Sequence, residues 1–396
     1  MQIEEPLRAS APAASLQVFF SLGFRPLYIA GCAWALISIA LWIFTPQLLS
    51  QPMSGVVWHA HEMLWGFIAT IAVAFLLTAS ATWTGFNPLK GWPLGLVCLL
   101  WLIARIGYLA GGDIAFKAAC LSETAFFLIS AGALLRVMLK GKSKRNYGIP
   151  WLILGLGAAN ALYLQAVLKG DYVLLMQRFT LGLICMAVIA LLVARRVIPF
   201  FAMRAIAGLQ IPMLTRSGHA QMFLGGAAIA FGSFGLMPAM GACLAALGLI
   251  SLFQVGRWKP RAVLGQPLLW ILYVGYAALG IGLLFAAAHV SGLGSAAFAR
   301  AATHVHIIGM GGFAVLIIGM VTRTALGHTG RPLKLDSSMQ TSYWLMLIAV
   351  VLRLAALWPG PLMAPLLQAA AAAWIAAFVL YLWRFVPVLI RPRYKG

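Results

Sequence analysis

Twelve apolar runs, each long enough to cross a lipid bilayer and nearly free of charge, constrain this chain to a bundle of membrane-spanning helices. A span takes roughly 17 to 25 predominantly apolar residues. Runs of that kind fall near 27–45, 60–82, 93–110, 116–138, 150–168, 172–198, 219–235, 237–256, 268–288, 304–322, 341–357 and 364–386. With 63% of the 396 residues hydrophobic and only 9% charged, a water-soluble core could not hide the apolar surface. The expected fold class is all-α: a polytopic membrane protein of about twelve transmembrane helices, forming a single integral membrane domain over 1–396 with the lipid bilayer as its solvent.

A net charge of +21 would suggest a nucleic-acid partner in a soluble chain. Here the Lys and Arg residues sit between apolar runs rather than on one patterned face, which argues against nucleic acid and makes them orienting charges. With the N-terminus in the cytoplasm, 22 of the 28 basic residues fall on the cytoplasmic side, among them Lys140, Lys142, Arg195, Arg196, Arg257 and Arg261. The outer side keeps Lys117, Lys169 and Arg300 in loops, and Arg105, Arg178 and Arg353 inside helices. This is the asymmetry of the positive-inside rule. It places both termini in the cytoplasm, residues 1–26 as a short leading segment and 387–396 as a basic tail. The first apolar run starts only near Tyr28, behind Glu4, Glu5, Arg8 and Arg25, so it is expected to stay in the membrane rather than be cleaved. Cys32, Cys98, Cys120, Cys185 and Cys243 lie scattered in helices with no paired spacing and read as small apolar fillers.

An internal echo runs through the chain at an offset of 245 residues. Placing 59–85 over 304–330 matches His59 with His304, His61 with His306, Gly66 with Gly311, Ala69 with Ala314, and Thr84-Gly85 with Thr329-Gly330. The same offset carries Leu102-Ile103-Ala104 onto Leu347-Ile348-Ala349, and Arg105 has a partner one turn away in Arg353. Helices 2 and 3 therefore resemble helices 10 and 11 as a weak repeat. A pseudo-twofold along the membrane normal would bring both histidine ends to one depth, and repeat interfaces often carry sites.

His59, His61, His304 and His306, with His289 at the end of the ninth helix, thus gather toward the outer face. Neutral imidazole ligates heme iron and copper, so a buried histidine cluster suits either metal. Two residues at i and i+2 of a helix point about 200° apart, so each HxH motif is expected to serve two sites. One arrangement opposes His61 and His306 across a heme and leaves His59, His304 and His289 for copper. Another gives three histidines to copper and one to heme. Glu62 and Glu123 are ionisable groups inside the membrane and are expected to orient a ligand or relay protons as the catalytic carboxylates. Arg105, Arg178 and Arg353 are candidates for heme propionates. His328 ends the tenth helix 22 residues beyond His306, about 33 Å away, so it cannot share a metal with it. With Arg323 it frames a Gly-broken turn at the cytoplasmic surface that could hold the backbone near a ligand, a second cofactor or another loop.

The words Trp58-His59-Ala60-His61-Glu62-Met63, Trp83-Thr84-Gly85 and Thr322-Arg323 through Leu326-Gly327-His328-Thr329-Gly330-Arg331-Pro332, with Gly23-Phe24-Arg25-Pro26 leading into the first helix, resemble the NnrS family over nearly the whole chain. That resemblance implies a bacterial inner (cytoplasmic) membrane protein of twelve helices that binds heme and copper and serves the response to nitric oxide. It singles out His59, His61, Glu62, His306, Arg323 and His328. The chain departs from the family pattern at His304, where the family more often has another residue. The function expected is to bind nitric oxide, or to reduce it as an oxidoreductase with electrons from a quinol or an external carrier, because the hydrophilic loops are short. A secondary transporter for metal or heme, and a membrane sensor of nitric oxide, are the readings from other classes.

Overall fold

The structure, a computed structural model, describes residues 14–49, 51–293 and 300–394. Among them there is no β-strand. After one helical turn at Leu16–Phe19, the chain forms α1 (Phe24–Phe44), α2 (Gly55–Thr84), α3 (Trp92–Ala110), α4 (Asp113–Lys140), α5 (Gly148–Lys169) and α6 (Tyr172–Ala205). It continues through α7 (Thr215–Ser233), α8 (Met237–Arg257), α9 (Pro267–Val290), α10 (Ala301–His328), α11 (Ser337–Ala355) and α12 (Met363–Leu389). A helix lies at each of the twelve expected positions. Eleven of these helices are both long and apolar enough to cross a membrane. The remaining one, α7, has 19 residues, about 28 Å at 1.5 Å per residue, but carries Arg216, His219 and Gln221 and packs against α6 and α8.

The largest departure from the expected boundaries is α6, which runs on through Pro199 to Ala205. At 34 residues it is about 51 Å long and extends well beyond a bilayer core of about 30 Å. Its last turns carry Arg195, Arg196 and Arg204, the polar residues that ended the apolar reading at 198.

Three helices form the centre. In α2 and α6, 78% of the apolar window is buried, and in α10 72%, against 28% in α11. This fits their sequences: α2 and α10 are apolar on all sides, as a helix surrounded by other helices must be.

Both α2 and α10 open into a π-helix just past their histidines. The wide turns span Glu62–Ala69 and Ile307–Ala314, so the second begins and ends 245 residues after the first. The sequence echo is therefore a structural repeat. Widened turns leave some carbonyls without a good intrahelical donor, and side chains supply substitutes. The Thr70 hydroxyl donates to Gly66 O at 2.8 Å, and the Trp101 indole reaches the same oxygen at 3.2 Å. In the second copy Gly309, Gly311 and Gly312 weaken the α-helical preference.

At the opposite end of the bundle the other shared words meet. Arg25 donates to Leu389 O (2.6 Å) and Arg391 O (2.7 Å), satisfying carbonyls at the end of α12. The Tyr394 N–H donates to Thr329 O at 2.8 Å, and His328 packs on Phe24 with ring centres 5.3 Å apart. Gly330 has φ +73, and a Cβ there would collide with Tyr394 O. The chain can leave α10 and receive the tail only with glycine at that point.

Candidate functional site

At the histidine end, α2 and α10 present His59 and His306 to each other across a cavity of about 260 Å³. Their rings are nearly parallel, 20° apart in plane and 6.4 Å between centres. His306 Nδ1 lies 2.6 Å from Ala302 O. A carbonyl only accepts, so the proton sits on Nδ1 and the lone pair on Nε2, the arrangement that metal-binding histidines use. His59 stacks on Trp42 at 5.3 Å, and its Nδ1 is buried without a hydrogen-bond partner. The walls are otherwise apolar apart from Tyr172 and Arg353, and they include the thioethers of Met63, Met176 and Met310. Among the described residues Arg353 forms no ion pair, and it lines the cavity. The lone pairs, the orphaned Nδ1 and the cation fit a metal group that carries anionic substituents.

His304 turns away from this cavity and packs against His289, ring centres 4.7 Å apart. Its Nδ1 is likewise buried without a partner. Among the described residues no three His, Cys, Asp or Glu side chains converge into a metal-binding group, so the structure contains two histidine pairs and no three-histidine set.

His61 is in neither pair. The expected opposition of His61 and His306 is replaced by that of His59 and His306, and His61 points about half a turn away into a closed polar cluster. Its Nδ1 lies 2.8 Å from Glu62 Oε1, and its Nε2 lies 2.9 Å from Asn160 Oδ1 and 3.1 Å from Glu123 Oε2. Arg105 bridges the two carboxylates, donating to Glu62 Oε2 at 2.6 Å and to Glu123 Oε1. The Trp34 indole donates to Glu62 Oε2 at 2.5 Å and the Tyr108 hydroxyl to Glu123 Oε2 at 3.0 Å. His61, Glu62, Arg105, Glu123 and Asn160 are each at most 1% exposed. With both ring nitrogens facing carboxylates, His61 is satisfied as an imidazolium, and with Arg105 it balances the two negative charges. Buried charges are tolerated only in such compensated sets. Neither nitrogen of His61 is available to a metal here, and Arg105 is committed to carboxylates rather than to the cavity.

The other expected site residues are spread out. Arg178 is half-buried on α6 and does not line the cavity. Arg323 lies on the far part of α10, its guanidinium 4.0 Å over the Phe201 ring, and His328 belongs to the tail-binding turn. Four contributors escaped sequence reasoning: Trp34, Tyr108 and Asn160 in the cluster, and Trp42 beside His59. Asn160 had a signal, being an amide within an apolar run; the aromatics had none.

No curated protein sequence matches the chain. The family model described as NnrS protein matches residues 18–393, which contain both histidine motifs, the charged cluster and the tail-binding turn. The chain belongs to the NnrS family.

Proposed function

We propose that this is a heme- and copper-carrying protein of the nitric oxide response, resident in the bacterial cytoplasmic membrane with both termini in the cytoplasm and the histidine end toward the periplasm. The observation that carries the reading is His59 facing His306 across an apolar cavity, one with its lone pair fixed on Nε2 and the other with an orphaned ring nitrogen. His59 and His306 would hold the heme, Arg353 would pair with its propionates, and His289 with His304 would hold copper. The bound group supplies a ligand site for nitric oxide and, with electrons from a quinol or an external carrier, a centre for its reduction.

The protein's own share is to bind, dry and charge-balance the site. The largely apolar walls lower the local dielectric, which strengthens the field of Arg353. The indole of Trp42 and the Ala302 carbonyl fix the two imidazoles. Glu62 and Glu123, paired with Arg105 and His61, would set the charge balance beside the cavity.

The test is the absorption spectrum of detergent-purified protein, oxidised and reduced, with metal analysis and nitric oxide addition. A Soret band that shifts with reduction and with nitric oxide, and is lost in His59→Ala and His306→Ala, supports the reading. Folded protein that stays colourless and metal-free when supplied with heme and copper sinks it in favour of a transporter.

A further inference from the structure

The histidine cavity shares a wall with a second, smaller one. Ile68, in the first π-helix, lines both, and the second has a volume of about 90 Å³. The same three central helices bound the two cavities in succession. Along α2 the lining passes from Met63 to Ile71, along α6 from Phe179 to Ile189, and along α10 from Met310 to Leu316. The cavities therefore lie in series along one seam, leading from the histidines into the middle of the bundle.

The lining decides what the second cavity can hold. Its one polar group is the Tyr28 hydroxyl, already hydrogen-bonded to Thr324 at 3.1 Å. A buried water needs two to four polar partners, and apolar cavities of about 150 Å³ stay dry and take up xenon or benzene. An ion or a polar solute would lose its hydration with nothing in return. The rim residues Ala72, Phe75, Ala190 and Val193 are half-buried although they lie well inside long transmembrane helices. At that depth of a transmembrane helix they would face acyl chains rather than water.

We propose that the second cavity is a binding site for small uncharged gas molecules, filled sideways from the bilayer core and leading to the histidine cavity past Ile68. What waits beyond Ile68 rests on the function proposed above; the gas site itself does not. A gas dissolves better in the acyl region than in water, so a lateral door draws on the richer reservoir. It also spares the charged end of the protein from admitting water with the gas.

Xenon is the probe. Crystals of the full chain pressurised with xenon are expected to hold an atom between Ile71, Ala190 and Leu316, whether or not heme is present. Ala190→Trp should fill the space and abolish that atom, and Ala190→Leu should weaken it if the larger residue prevents folding. In reduced, heme-containing protein, rebinding of carbon monoxide after photolysis should slow on the order of tenfold in Ala190→Trp and Ile68→Trp, a barrier increase of one decade. Well-ordered crystals without xenon there, or with a lipid chain in its place, overturn the gas site. Unchanged rebinding with the cavity filled overturns its connection to the histidines. A colourless protein that still binds xenon sinks the proposed function and leaves the gas site standing.

Discussion

The two copies of the histidine motif share a backbone and differ in what they face. Each has two histidines, then eight residues of π-helix, then an α-helix to the far side. In the first copy the residue after the second histidine is Glu62, and it draws His61 into a charged cluster with Arg105, Glu123 and Asn160. In the second copy that place is Ile307, so nothing holds His306 away from the cavity. The cavity pair is consequently the first histidine of one copy and the second of the other. A duplicated scaffold has thus been divided between a closed electrostatic anchor and an open binding position, and a single carboxylate marks the division.

The sharpest way to break this contrast is to remove Arg105. Arg105→Met leaves Glu62 and Glu123 with His61 alone against their two charges, and truncating one member of a buried ion-pair set costs about 3–5 kcal/mol. We expect a large fall in thermal midpoint and in yield of detergent-soluble protein. In the second copy, Arg353→Met is expected to change cavity properties while leaving the midpoint nearly unaltered. Equal damage from both would refute the division.

The histidines test the same point by their separate readouts. His61→Ala is expected to lower stability by several kcal/mol, because it strips the carboxylates of a partner, yet to leave any heme absorption in the surviving folded fraction. His59→Ala and His306→Ala should do the reverse, which spectra and thermal melts on the same samples will show. A smaller effect separates the paired glycines. A methyl at Gly66 would run into the Arg105 guanidinium and the Glu62 carboxylate, whereas one at Gly311 meets Ala278 Cβ at 3.3 Å and Val350 Cγ1 at 3.6 Å. Gly66→Ala should cost about 1–3 kcal/mol and Gly311→Ala under about 1, by thermal or denaturant unfolding.

The smallest effect lies at the start of the neighbouring helices. In the second copy Asp336 caps α11, accepting from Met339 N–H at 3.1 Å, while α3 in the first copy begins at Trp92-Pro93 with no side-chain cap. Asp336→Ala should lower stability by about 1 kcal/mol. Partial burial works to raise the Asp336 pKa, but the Ser338 hydroxyl, the Met339 N–H and Arg384 together hold it below the usual carboxylate range. The cap's contribution is therefore complete near neutral pH and lost as pH falls through that range. The mutant's deficit should shrink in acid melts.

The transmembrane spans were legible because each is fixed by its own length and hydropathy. The extension of α6 past Pro199 was not, since helix beyond the bilayer carries no apolar signal. The repeat was legible in two histidines, a glycine and a shared turn. What could not be read was the rotation of each histidine about its helix. One residue turns a helix by 100°, and the π-turns alter that phase without any mark in the composition. His61 and His59 thus exchanged expected roles. Asn160 stood out as an amide in an apolar run, yet nothing local tied it to a ring 99 positions earlier in the chain.

The contact between Arg25 and the carbonyls of Leu389 and Arg391 bears on the order in which the protein is made. Arg25 lies at the start of α1, and its acceptors lie at and just past the end of α12, so the guanidinium is matched only after residues 364 and 366 positions further along have been made. Domains form from the N-terminus as synthesis proceeds. Here the contact joins α1 to α12, and a chain stopped before α12 would carry that cation unmatched at the membrane surface.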